Sequence, residues 1–134
     1  MRDLDHARMM IRMARKDLKA IEGMADAKTF GDEIFGFHAQ QAVEKAIKAW
    51  LSCAGVAYPK THDLALLMAT LEDQGETITD DVRSLMDLTD FAVQFRYEAF
   101  EDIEEMLDRK HTLQQAASLI ERVERRLEET TKET

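Results

Sequence analysis

Three short runs hold the side chains best suited to chemistry. Glu44, Lys45 and Lys48 fall close together in a helical stretch. Lys60-Thr-His62-Asp63 follows the single proline, Pro59, and Phe95-Arg96-Tyr97 lies further on. The lysines and Arg96 offer cations to phosphate or carboxylate groups, and a guanidinium carries five donors. His62 brings an imidazole able to take or give a proton near neutral pH. Tyr97 adds a face for stacking. Glu44 and Lys48 are four residues apart, so they share a helix face and can pair. If the loop before a third helix and the end of a fourth converge at one pole, Arg96 lies near Glu44, and His62 near both. The competing account is plainer: His62 and Asp63 cap a helix, and Arg96 pairs with an acid.

The helices that must position these residues can be read from apolar spacing. Leu4, Ala7, Ile11, Ala14, Leu18 and Ile21 recur at intervals of three and four, predicting an amphipathic helix over about residues 3–24. Met9, Met10 and Met13 widen its apolar side. After a short polar break, Thr29 and Asp32 give a capping signal for a central helix. That helix carries a stripe of Phe35, Ala39, Ala42, Ala46, Ala49 and Cys53, flanked by Val43, Ile47, Trp50 and Leu51. An apolar arc this wide belongs to a helix packed on more than one side. His38, Gln41, Glu44, Lys45, Lys48 and Ser52 form its polar arc.

Gly55 suits a left-handed cap at the end of the central helix. Pro59 stiffens the irregular stretch to His62, where Thr61 can cap a third helix with Asp63 in its first turn. Leu64, Leu66, Leu67 and Leu71 make that helix, which stops before Gly75. Thr79-Asp-Asp opens a fourth, with Val82, Leu85, Met86, Thr89, Ala92 and Val93 as its buried face and an end near 95–97. Glu101, Asp102, Glu104 and Glu105 suit the positive end of a last helix, whose seam is Met106, Leu113, Ala116, Ile120, Val123 and Leu127. The expected architecture is all-α: an up-and-down bundle of four long helices plus one short helix, one domain over 1–130 with a polar tail at 131–134.

Composition narrows the function classes. With 45% hydrophobic and 34% charged residues, one proline and five glycines, the chain has the profile of a helical bundle. Its net charge of −9 and pI near 4.9 argue against broad nucleic-acid affinity, and no DNA binding is expected. A local basic pocket remains compatible with that balance. A single cysteine, Cys53, sits on the apolar stripe and reads as a buried thiol. The four histidines show no zinc spacing, and His6 and His111 read as surface residues; no metal or cofactor is expected. Phosphate loops, nucleophile elbows and zinc-protease motifs are missing from the sequence. No run approaches the roughly 18 apolar residues that span a bilayer, so a cytoplasmic protein without membrane contact is expected.

The three runs together resemble a known family, the HEPN domain. The likeness is carried by Gln40-Gln41-Ala-Val-Glu44-Lys45-Ala-Ile-Lys48-Ala, then Pro59-Lys-Thr-His62-Asp63-Leu64, then Phe95-Arg96-Tyr97, in the family's order and spacing. The resemblance implies a bundle of four to five helices, usually a homodimer, often encoded with a minimal nucleotidyltransferase in pairs that look like toxin–antitoxin modules. Some members are metal-independent ribonucleases using an Arg-x(4–6)-His motif. Here the next histidine after Arg96 is His111, fifteen residues on. On one helix the two would stand about 22 Å apart, too far to share a phosphate.

Two functional readings follow. One is a binding module holding a nucleotide, an RNA end or a nucleotidyltransferase partner at a pocket of Glu44, Lys45, Lys48, Lys60, His62, Asp63, Arg96 and Tyr97. The other is a ribonuclease toxin with Arg96 on the scissile phosphate and His62 as general acid or base. The acidic balance and the missing motif favour the first.

Overall fold

The computed structural model describes residues 3–26, 28–91 and 108–132. Within them run α1 (Leu4–Glu22), α2 (Asp32–Cys53), α3 (Leu64–Asp73), a short α4 (Asp80–Arg83) continued by a 3-10 turn (Ser84–Leu88), and α5 (Arg109–Lys132). The all-α architecture agrees with the sequence reading, and no strand occurs among the described residues.

Burial identifies the organising element. In α2, 14 of 22 residues are buried, against 6 of 19 in α1 and 7 of 24 in α5. A helix covered on several sides must be the central one. Its alanine stripe, Ala39, Ala42, Ala46 and Ala49, is fully buried. Side chains that short let neighbouring backbones approach, while Phe35, Ile47, Trp50 and Leu51 fill the wider gaps. Helix α1 lies antiparallel to α2: Asp3 N donates to Ser52 O at one end, and Lys45 meets Asp17 further along. Helix α5 lies antiparallel to α1, through Arg8–Thr131 and Arg15–Glu124, and alongside α2. Its seam includes Leu119, fully buried and not anticipated from spacing.

The helix ends carry their own explanations. Gly55 (φ 77°) and Gly75 (φ 85°) take the left-handed conformation. After α2, Val56 N reaches Leu51 O (2.9 Å) and Gly55 N reaches Ser52 O (3.2 Å); after α3, Glu76 N and Gly75 N repeat the pattern. These are paired closing bonds that satisfy the last carbonyls of each helix. Two expected caps prove different. Helix α2 starts from Gly31 without a side-chain cap, because the Thr29 hydroxyl donates to Asp26 instead. The cap of α3 is Asp63, accepting from Ala65 N and Leu66 N, while Thr61 Oγ1 accepts from Asp63 N one step earlier. Leu66, assigned to the apolar side of α3, is exposed.

The fourth long helix also differs. Thr79 caps it as expected, but the backbone tightens into the 3-10 turn after four residues and resumes α-geometry at Thr89. The tighter turn still buries Leu85 and Leu88. Ala92, Val93 and the acids from Glu101 to Glu105 lie outside the described residues. Helix α5 opens at Arg109, where His111 N donates to Asp108 Oδ1.

Candidate functional site

The site grows from one turn of α2. Glu44 belongs to the polar arc, yet it is 4% exposed, because the 58–63 loop folds back over it. Burying a carboxylate this far demands partners. Gln40 Nε2 donates to Glu44 Oε1 (3.0 Å), Lys48 Nζ to Oε2 (3.0 Å), and His62 Nδ1 lies 2.7 Å from Oε1. Burial pushes the Glu44 carboxyl up, but the bonds from Gln40, His62 and Lys48 and the lysine's charge outweigh it, leaving the group below the ordinary glutamate range. Glu44 is therefore an anion at neutral pH, and His62 presents Nδ1–H to it. This fixes the ring tautomer and turns Nε2 away from the carboxylate.

Around this carboxylate sits a supporting shell. Gln40 is fully buried; its amide also donates to the His62 carbonyl (3.2 Å), and its oxygen accepts from Gln41 Nε2 (2.7 Å). Lys48 Nζ stands 5.4 Å from the centre of the Tyr58 ring, a cation–π placement. The Tyr58 hydroxyl meets His6 Nε2 at 2.5 Å. Burial, then the charges of Glu44 and Asp3, raise the Tyr58 phenol above its usual value. His6 is thus half-buried and engaged, in contrast to the surface role assigned from sequence. His111 is exposed.

The predicted residues divide accordingly. Glu44, Lys48 and His62 come together. Lys45 turns the other way and pairs with Asp17 of α1 (2.6 Å), near His38, whose Nδ1 lies 3.6 Å from the same carboxylate. Lys60 is exposed on the loop with no partner among the described residues, and Asp63 is spent as the α3 cap. Arg96 and Tyr97 lie outside the described residues. Sequence reasoning missed Gln40, Tyr58, His6 and Asp17 as participants. Gln40 carried a usable signal: a polar residue four before Glu44, on the same helix face.

What this arrangement can do is limited and specific. A half-exposed imidazole, 42% accessible, is held at a fixed angle by a buried anion. Such a ring can contact an anionic group or move a proton. Among the described residues no cluster of three or more His, Cys, Asp or Glu side chains could hold a metal, and no helix is long and apolar enough to cross a membrane.

Neither the curated proteins nor the solved structures contain a match to the chain. The family model described as the HEPN domain does match, over residues 7–133, a span holding α2, the 58–63 loop and α5. That coverage is nearly the whole sequence, and the chain belongs to the HEPN domain family.

Proposed function

We propose that this protein is a helical binding module that holds a nucleotide or RNA phosphate at the Glu44–His62 pair, as the partner of a minimal nucleotidyltransferase in a toxin–antitoxin-type module. The observation that supports this most is the 2.7 Å contact between His62 Nδ1 and a carboxylate buried under the loop. Orienting an imidazole this way costs burial of a charge, and a buried charge that holds a half-exposed imidazole is an arrangement suited to a functional site. Lys48 and Lys45 already face Glu44 and Asp17, so the ligand contact falls to His62 Nε2 and Lys60. The two paired lysines then tune the field rather than grip the phosphate. The same Glu–His geometry also suits proton transfer, which keeps the ribonuclease reading in play.

Binding of a fluorescein-labelled short oligoribonucleotide, followed by anisotropy and by gel for cleavage, separates the two. The module reading expects saturable binding of intact RNA, weakened about tenfold or more by His62→Ala. Cleavage abolished by both Arg96→Ala and His62→Ala would establish the ribonuclease instead. No binding and no cleavage would remove both.

A further inference from the structure

A second cluster stands apart from Glu44 and His62. Trp50, Glu76, Arg122, Arg125, Arg126 and Glu129 line a cleft of about 190 Å³ between α5, the end of α2 and the turn after α3. In a chain of net charge −9, three arginines here form a local exception. Their states differ. Arg126 is neutralised by Glu76, through contacts of 2.7 Å and 3.4 Å. Arg122 has no acid partner among the described residues. Its Nη2 donates to the Thr77 carbonyl (2.9 Å), and its guanidinium carbon stands 4.7 Å from the Trp50 ring centre. Those two contacts hold the guanidinium rigid without cancelling its charge, and most of its donors stay unused. Arg125 is exposed with no partner among the described residues. Trp50 is 2% exposed, and its buried indole N–H has no acceptor among the described residues. An indole nitrogen can only donate, and a buried donor left alone is costly. Arg122 and Arg125 thus bring to the cleft guanidinium donors that no carboxylate among the described residues takes up. Of the two carboxylates that line the cleft, Glu76 is matched by Arg126, and Glu129 is the one left to oppose an anion.

We propose that this cleft is an oxyanion site that takes a phosphate group, gripped by Arg122 and Arg125. The site is independent of the Glu44–His62 reading and shares no residue with it. Phosphate fits the donor set because a guanidinium meets its oxygens in bidentate fashion, and restraint by the Trp50 face and the Thr77 carbonyl removes part of the ordering cost of binding. The group can arrive as free phosphate or as the backbone of an RNA.

Trp50 is the sole tryptophan, so its emission and its indole N–H resonance report on this cleft directly. Inorganic phosphate is titrated in by fluorescence against sodium chloride at matched ionic strength, and a short oligoribonucleotide is followed by the indole resonance. A saturable, phosphate-specific change is expected. Arg125→Gln and Arg122→Gln should weaken it about tenfold or more. Glu129→Gln should tighten it about twofold by removing the opposing charge, a gain that misfolding cannot imitate. His62→Ala should leave it unchanged. A response to the oligoribonucleotide at concentrations far below those needed for phosphate assigns the source as RNA; equal or weaker response assigns it as the free anion. A response reproduced by chloride, no response to either phosphate source, or indifference to both Arg125→Gln and Glu129→Gln would overturn the site.

Discussion

At the scale of single residues, Glu44 is a buried charge held by three side chains. It accepts from Gln40, Lys48 and His62 while nearly sealed from solvent. Removing it strands Lys48, whose side chain is 12% exposed, so Glu44→Ala should cost about 3 kcal/mol in denaturant unfolding. The same bonds make stability depend on pH. The Glu44 carboxyl is lowered in the folded state, so its contribution is complete above the unfolded value of about 4.3. It is lost as pH falls through the still lower folded value. Wild type should therefore lose stability between about pH 5 and pH 3 more steeply than Glu44→Gln, measured by thermal unfolding at each pH. The residues of this site were legible in part. Helical spacing placed Glu44 beside Lys48, and the loop position of His62 brought it within reach. Tyr58 and His6 are fifty-two residues apart, and no periodic pattern links them; only the packing of α1 against the end of α2 does.

At the scale of elements, the connections are pinned by single side chains. Arg109, at the start of α5, donates to the carbonyls of Met24 (2.7 Å) and Phe30 (2.6 Å) and to Asp32 (2.8 Å), over the face of Phe35. It thereby ties the α1–α2 connection to α5. A lysine has no planar fork to match these acceptors, so Arg109→Lys should cost about 2 kcal/mol and speed proteolysis within residues 23–31. Gly36 matters for a different reason: a β-carbon there would overlap the Phe91 ring. Gly36→Ala should lower stability by about 1–3 kcal/mol, and Phe91→Leu should recover part of that loss in the double variant. The element pattern was the most readable level. The seams of α1 and α2 follow directly from spacing, because an apolar stripe at helical period has few other uses. The 3-10 turn at Ser84–Leu88 was not readable, since Val82, Leu85 and Met86 fit an α-helical face equally well. The start of α3 was misplaced by two residues because Thr61 and Asp63 are both good caps, and the choice between them is made by the loop folding over Glu44.

At the scale of the whole molecule, three long helices among the described residues share one core, with α2 at its centre and its ionised carboxylate at one edge. Met9 and Met13, each 38% exposed, lie on one side of α1. We propose that a second copy covers them. Light scattering at micromolar concentration should then give twice the 15.4 kDa chain mass, and Met9→Glu with Met13→Glu should return it to the monomer. The central claim is that a buried glutamate sets the orientation of a ligand-contacting histidine. Nitrogen-15 spectra of the histidine rings test it most directly, during titration with adenosine 5′-monophosphate. The account predicts that His62 carries its proton on Nδ1, that the nucleotide shifts its Nε2 signal, and that Glu44→Gln abolishes the tautomer preference. A His62 ring that is protonated on Nε2, or that is indifferent to both nucleotide and Glu44→Gln, would contradict it.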